Sequence, residues 1–517
     1  MSPFKSRPLP LSLIIFASLL LTYLSLRTKN YYWDGIAFAY DIEHASSALF
    51  HPNHLLYGPL GYLVWSAANR LLPGVRCTDV LQILNAFFGS AAVAIFCALV
   101  LSLFRSRYIA ACLSLALGFS ATWWKFSTDA NSYIPGVFFL LAALSLTGSK
   151  SRFGPVWVGI LHAVAMMLHE LAIFFTPVLM LRLWHQTSNS TRKTRYVRLS
   201  EYIGTAGLLV VFAYYAVFAA VFHTYDPVSL LRWVTSYSQD AAFSFNLSRN
   251  LVSSLLGHVR LFWGGRLPLV RAVWNPLIAF SLAALVVLLI ILIFRIRRGN
   301  VPELTPEYVS VLRGSVVWVA VYCAFLFFWL PHNTFYRLFY LPGLLMGAGA
   351  IIAGTQPRQY RLALGVAILF FWNLGFDIYP YAQPQSNGTL RIAENFQKIW
   401  PAGAVVYWDV YAADNRTIQY FNRDVEWKPL FSRPPIDEIQ QTLNAAHRIG
   451  KSVWFDTNAL DQFAQTDPEF RTWLITKCRL GSRYEFKNGN HNTGFVQLLP
   501  AVENTTVQNI RSARLPE

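Results

Sequence analysis

A series of apolar runs, each about 18 to 23 residues long and nearly free of charge, constrains this chain more than any other feature, and Pro276 to Phe294 is the clearest. As a helix, a run of that length crosses a hydrocarbon layer of about 30 Å. No water reaches backbone N–H and C=O groups inside that layer, so a lone spanning segment has to satisfy them internally as a helix. Candidate spans fall near 9–26, 81–103, 108–122, 131–147, 155–168, 171–184, 202–223, 276–294, 314–330, 338–354 and 362–378. The third, fifth and sixth are short, which suggests tilted, re-entrant or sheltered segments. The expected fold is therefore an all-α polytopic membrane protein of about 11 transmembrane helices. With 55% hydrophobic and only 13% charged residues, the composition excludes a disordered chain and argues against an ordinary soluble enzyme.

The net charge of +17 would point to nucleic acid in a soluble domain. Here the basic residues gather in short segments between apolar runs: Lys5 and Arg7, Arg105 and Arg107, Lys150 and Arg152, Arg182 to Arg198, Arg295 to Arg298, Arg313, and Arg358 and Arg361. Alternation from a cytoplasmic N-terminus puts all of them on one face, as the positive-inside rule requires. The first span follows Lys5 and Arg7 without an A-x-A-like cleavage site, so it reads as an anchor rather than a signal peptide. Cys97, Cys112 and Cys323 lie in apolar runs and Cys77 and Cys478 are far apart, which shows no disulfide or zinc spacing. Domains are expected at 1–378, spanning the membrane with a long first outer loop at 27–80, and at 379–517, a small soluble α/β domain. In the second, strands are predicted at Ala404–Trp408, Ser452–Phe455 and around Tyr484 and Val496, with helices at Ile436–Arg448 and Leu460–Ile475.

Topology sorts the unusual polar residues onto the outer side. The 27–80 loop carries Tyr31-Tyr32-Trp33-Asp34-Gly35 and then His51-Pro52-Asn53-His54-Leu55-Leu56-Tyr57-Gly58. A loop so long in a compact membrane protein is usually functional. Asp34 behind three aromatics has the surroundings of a general base, or it caps a helix over Ile36–Glu43. His51 and His54, three apart, suit metal ligation only with a third ligand, and fit hydrogen bonding to substrate or a neighbouring loop better. Asp129, in the second outer loop, either shares a cavity with Asp34 or caps the fourth span. His169 and Glu170 sit between the fifth and sixth spans, and ionisable groups at membrane depth are functional candidates. Arg337, before the tenth span, either grips a phosphate by a bidentate contact or snorkels to lipid headgroups. Asp409 and Asp456 follow two strands of the tail, where binding residues often lie, and are equally explained as caps. Sequons at Asn246, Asn387, Asn415 and Asn504 fall on the outer side.

In this order, Asp34, His51-Pro52, Asp129 and Arg337 with Pro342 resemble the GT-C superfamily of integral-membrane glycosyltransferases. The runs His51–Gly61 and Trp123–Leu144 look most like the subgroup related to protein O-mannosyltransferases. The resemblance spans about residues 10 to 355. Two departures stand out: Gly35 follows Asp34 where the family commonly has Glu, and Asn53 follows His51-Pro52. The resemblance implies sugar transfer from a polyprenyl-phosphate donor to a protein, glycan or lipid acceptor outside the cytoplasm, with inversion. It makes Asp34 and Asp129 the catalytic carboxylates and Arg337 the donor-phosphate ligand. His51, His54, Tyr57, His169 and Glu170 would line the substrate cavity. No cofactor or obligatory metal is expected, although some relatives use a divalent cation. The competing expectations are a transporter or flippase of a lipid-linked molecule and a non-catalytic assembly factor. The absence of a repeat and of mid-span charge disfavours the first. The expected location is a bacterial inner membrane with a periplasmic C-terminal domain.

Overall fold

The computed structural model describes residues 9–149, 151–186, 191–236, 243–295, 304–355, 359–408, 413–430, 433–488 and 491–501. Lys5, Arg7, Lys150, Arg297, Arg298 and Arg358 of the basic set, together with Asp409 and Asn504, lie outside these residues. The chain forms two compact units, 1–383 and 384–517.

The first unit is helical. Its helices are α1 (Leu9–Ser25), α2 (Trp33–Glu43), α3 (Tyr57–Leu71), α4 (Cys77–Phe104), α5 (Arg107–Phe119), α6 (Ala121–Ser127), α7 (Tyr133–Leu146), α8 (Gly154–Leu168) and α9 (Thr176–Gln186). There follow α10 (Arg192–Phe222), α11 (Pro227–Thr235), α12 (Leu247–Phe262), α13 (Leu267–Ala272), α14 (Pro276–Arg295), α15 (Pro306–Trp329), α16 (Leu341–Thr355), α17 (Gln359–Asn373) and the short α18 (Tyr379–Tyr381). Among the described residues, four helices are long and apolar enough to cross a membrane: Cys77–Phe104, Arg192–Phe222, Pro306–Trp329 and Arg361–Tyr381. The last is continuous through one π-helical turn at Leu374–Ile378. Five shorter apolar helices, Pro10–Ser25, Tyr133–Leu146, Gly154–Leu168, Pro276–Leu292 and Leu341–Gly354, accompany them. Every apolar run of the sequence is helical, although 171–184 and 338–354 begin as 3₁₀ turns and 108–122 is sharply bent. α5 and α6 meet at 67°, where Ser120 turns extended and its hydroxyl caps back onto the Leu117 carbonyl at 2.8 Å.

Local chemistry sets the other ends. Arg105 closes α4 in the left-handed region (φ 53), and Ser106 then caps α5 by accepting the Ile109 N–H at 3.2 Å. The core gathers around α4, α6 and α7, where Trp123 and Trp124 are fully buried. α10 has the opposite character: Leu208, Val211 and Phe212 stay about 70% exposed. An apolar face of that kind suits a lipid solvent rather than water.

The loop at 27–80 is largely helical, containing α2, α3 and 3₁₀ turns at Ser47–Leu49 and Pro52–His54. The stretch between α10 and α14, which has no apolar run, folds into α11, α12 and α13. α12 exposes Leu247, Leu251, Val252, Leu255, Leu256 and Val259, and buries Asn250, Gly257 and Leu261. That is one apolar stripe at helical spacing.

The second unit is an α/β layer with helices α19 (Gly388–Ile399), α20 (Ala413–Phe421), α21 (Ile436–Arg448), α22 (Thr457–Thr466) and α23 (Pro468–Lys477). Its strands are β1 (Val405–Trp408), β2 (Glu426–Pro429), β3 (Val453–Asp456), β4 (Cys478–Asn488) and β5 (His491–Pro500). They order as β2-β1-β3-β5-β4, with β1 parallel to β2 and β3, and β5 antiparallel to β3 and β4. The helix expected over Leu460–Ile475 is two helices, because Asp467 caps a new start by accepting the Glu469 and Phe470 N–H groups and Pro468 cannot continue the first. β2 ends in proline at the sheet edge, where a missing donor is tolerated. It is too short to show a strand period in sequence.

Candidate functional site

The site is assembled by strapping the segment between α1 and α2 onto the segment between α6 and α7. Thr28 N–H donates to the Thr128 carbonyl at 3.3 Å, and Tyr32 N–H to Asp129 Oδ2 at 2.7 Å. Lys29 N–H donates to the Tyr381 carbonyl at 2.7 Å. From α4, the Asn85 amide donates to the Asp129 and Asn131 carbonyls at 2.7 and 2.8 Å, and Gln82 to the Thr28 carbonyl at 2.8 Å. Gly35 makes the close approach possible: a Cβ there would stand 2.6 Å from the Ala130 carbonyl oxygen. A glutamate at this place would have no room in this backbone, which gives glycine after Asp34 a steric reason.

Asp34 occupies the first turn of α2, one residue inside the helix, and is half-buried. It is not the N-cap. It accepts the Tyr133 hydroxyl at 3.4 Å. Asp129 is 1% exposed and does not cap α7; Ser132 is the N-cap, and Asn131 before it accepts the Ile134 N–H at 3.1 Å. Instead Asp129 holds the Tyr32 and Ala130 N–H groups. Burial pushes its carboxyl up to about 7, with nearby Asp34 adding to the rise and the two N–H bonds and Lys125 opposing it.

His51, His54 and His169 form a packed group. The His51 and His54 rings stack with centroids 5.4 Å apart, and His54 and His169 lie 4.8 Å apart. His54 Nδ1 meets the Ser132 hydroxyl at 2.9 Å, so this residue joins the two outer loops. His51 and His169 each accept a backbone N–H at Nδ1, from Asn53 and Leu171. Burial holds the His51 imidazole down at about 4 and that of His54 at about 3, so both are neutral. Among the described residues no group of three His, Cys, Asp or Glu side chains is arranged to hold a metal ion. Tyr57 is fully enclosed against Phe38, with its hydroxyl toward Asn85, behind the site rather than lining it. Glu170 opens the 3₁₀ turn Glu170–Phe175 and is exposed at the edge.

Arg337 does not snorkel. It is 1% exposed, on the 3₁₀ turn Phe335–Phe339. Its Nε donates to the Asn333 carbonyl at 2.9 Å, Nη2 to the Pro331 carbonyl at 2.7 Å and Nη1 to the Tyr340 hydroxyl at 2.5 Å. Among the described residues no carboxylate pairs with it. An aromatic cluster joins it to Asp34: Phe335 packs on Tyr32 at 5.3 Å and on Tyr133 at 5.0 Å, and Tyr336 on Tyr133 at 5.7 Å. Asp34, Asp129, the three histidines and Arg337 thus belong to one contiguous cluster.

Several members were not singled out from sequence. His258, on the buried face of α12, lies 3.0 Å from the Tyr340 hydroxyl, and burial together with the Arg337 charge holds its imidazole below the usual range. Gly257 allows this, since a Cβ there would stand 2.8 Å from Arg337 Nε. The available signal was the amphipathic spacing of α12. Asp377, 5% exposed in the π-helical turn, receives the Gly265 N–H, and Lys125 lies 4.4 Å over the Tyr381 ring. In the second unit Asp456 caps α22, accepting the Ala459 N–H at 2.8 Å. Asn246 and Asn387, of two sequons, likewise cap α12 and α19.

The chain thus pairs a helical unit rich in apolar helices with an α/β unit. Among solved structures it is similar to ArnT from Cupriavidus metallidurans bound to undecaprenyl phosphate, with TM-score 0.59 and 11% identity over 95% of this chain and 97% of that one. The apo state of ArnT gives TM-score 0.51 and 14% identity over 94% and 97%. The likeness is one of fold. No protein-family model and no curated protein sequence matches the chain.

Proposed function

We propose that the protein transfers a sugar from a polyprenyl-phosphate donor to an acceptor hydroxyl on the outer, non-cytoplasmic face of the membrane. The observation that carries this reading is the buried Arg337 guanidinium, answered by carbonyl and hydroxyl oxygens and the His258 ring but, among the described residues, by no carboxylate, in a fold similar to that of a protein bound to undecaprenyl phosphate. A buried cation without a carboxylate favours an incoming anion, and a phosphate matches its fork.

In the reaction the acceptor oxygen attacks the anomeric carbon as the bond to the phosphate oxygen breaks, which inverts that centre. Asp34 takes the acceptor proton, and the departing polyprenyl phosphate leaves as an anion beside Arg337. Tyr133 steers the Asp34 carboxylate, and Asp129 holds the backbone on which Asp34 sits. His51, His54 and His169, neutral, offer hydrogen bonds rather than charge to a sugar. The runs His51–Gly61 and Trp123–Leu144 support a relative of the protein O-mannosyltransferases and a hexose donor. On this reading the membrane is a bacterial inner membrane, with residues 384–517 on the periplasmic side.

The test is turnover of a panel of radiolabelled polyprenyl-phosphate sugars by the purified full chain in nanodiscs, with Asp34→Asn alongside. Turnover of one donor that is lost in Asp34→Asn, with folding intact, is the expected result. Wild-type rates in Asp34→Asn would remove Asp34 as the base, and turnover of no donor would remove the reading.

A further inference from the structure

A cavity of about 540 Å³, with neither Asp34 nor Arg337 in its lining, lies between α4, α7, α9, α15 and α16. Its walls run from the last turns of α4, α7 and α9 and the first turns of α15 inward to Val178, Trp318 and Met346. Leu99 and Leu103 precede Arg105 at the close of α4, and Leu144 lies near the end of α7. Arg313 lies sixteen residues before the end of α15, the end that leads to Arg337. That separation is roughly 24 Å of helix rise, most of a hydrocarbon layer.

The lining combines two chemistries. Leu99, Leu144, Val178, Trp318 and Met346 make an apolar wall, while Arg182, His185 and Arg313 supply the basic groups, and no acidic side chain lines the cavity. Both arginines are exposed, and neither has an ion-pair partner among the described residues. Two unanswered guanidinium groups above an apolar wall, at headgroup depth of a membrane, complement an amphiphile with an anionic head. A water-soluble phosphate would leave the apolar wall bare, and a zwitterionic lipid would bring its own cation against the arginines.

We propose that this cavity binds an acidic phospholipid from the leaflet opposite the Asp34 site, its phosphate held by Arg182 and Arg313 and a chain lying against Leu99, Leu144 and Met346. Such a lipid would wedge α9 against α15. These two helices continue at their other ends into the His169 turn and the Arg337 turn, so the composition of one leaflet would bear on a site facing the other.

The test uses the full chain in nanodiscs holding either brominated phosphatidylglycerol or brominated phosphatidylcholine, read by quenching of Trp318 as the difference between wild type and Trp318→Phe. Each basic group near an anionic surface contributes enough that two give roughly thirty-fold selectivity for the acidic lipid. Arg182→Gln with Arg313→Gln is expected to bring that selectivity to within about two-fold, the residue of unrelated contacts. Gly314→Leu is the second variant. A Cβ at Gly314 meets nothing within 4 Å, and leucine favours helix over glycine. It is expected to abolish quenching by both lipids while keeping both arginines. Equal quenching by the two lipids in wild type, unchanged selectivity in the arginine variant, displacement by millimolar inorganic phosphate, or preferential uptake of brominated polyprenyl phosphate would each overturn the proposal.

Discussion

Gly35→Ala tests the strapping of the two outer loops most directly, because it adds one carbon at their closest approach. The new Cβ would lie 2.6 Å from the Ala130 carbonyl oxygen and 3.1 Å from Ala130 Cβ, where ordinary contact begins at 3.4 Å. Ala130 has little freedom to withdraw, since its N–H is held by Asp129 and the carbonyls on either side of it by Asn85. The start of α2 must therefore retreat by about 0.8 Å, the difference of those two distances. Asp34 moves with it, and its 3.4 Å contact with the Tyr133 hydroxyl lengthens to about 4 Å, beyond a hydrogen bond. Overpacking of this kind costs about 1 to 3 kcal/mol. A misplacement near 1 Å of a reacting group costs up to about a hundred-fold in rate. Thermal unfolding in detergent and donor turnover should therefore both fall, turnover by the larger factor. Gly204→Ala is the control, because its Cβ meets open space, and alanine in a helix interior is favoured over glycine by roughly 0.5 to 1 kcal/mol. Gly35→Ala with unchanged stability and unchanged turnover would refute the argument that glycine is needed for the approach.

Arg337→Lys retains the charge but cannot satisfy the Asn333 and Pro331 carbonyls together, so a stability loss of about 1 to 3 kcal/mol is expected from the one left unpaired. Arg337→Gln should lose donor binding as well, and equal donor affinity in wild type, Lys and Gln forms would deny the guanidinium its phosphate. Acid lability follows from the histidine group. The unfolded chain protonates these imidazoles near pH 6.5, whereas the folded one resists until about 4 for His51 and about 3 for His54. The unfolded state then binds more protons in that window, and stability falls as the pH drops through it, by about 1.4 kcal/mol per pH unit per histidine. Asp129, raised to about 7, works in the opposite sense: it binds a proton in the folded state first, so its contribution falls as the pH rises from about 4 to 7. Denaturant midpoints between pH 4 and 7 should rise with pH more steeply in Asp129→Asn than in wild type, and an identical slope would contradict the buried, protonated Asp129.

Much of the architecture follows from the sequence because the membrane leaves few choices. An uncharged apolar run has to become a helix wherever water is absent, so every run from 9–26 to 362–378 is helical in the structure. The α/β character of the tail was legible for a related reason: Val405–Trp408 and Val453–Asp456 are short apolar strands set between amphipathic helices. What the runs do not encode is where a helix bends and what its polar residues meet. The break at Ser120 has no proline to announce it, only Gly118 two residues before and a serine that satisfies the Leu117 carbonyl while the backbone turns. Asp34 and Asp129 both read as helix caps or as catalytic groups. Only the packing of α2 against residues 128–132 shows that neither is a cap, that Asp129 holds the Tyr32 backbone, and that Asp34 stays half-open beside Tyr133. Arg337 was open to snorkelling or to anion binding, and burial against α12, through a glycine and a histidine some eighty residues earlier in the chain, removes the snorkelling reading. Apolar length and hydrogen-bond need are properties of a segment, so sequence determined the elements. The company a carboxylate or guanidinium keeps is a property of elements distant in sequence, so the site was decided only when the chain had packed.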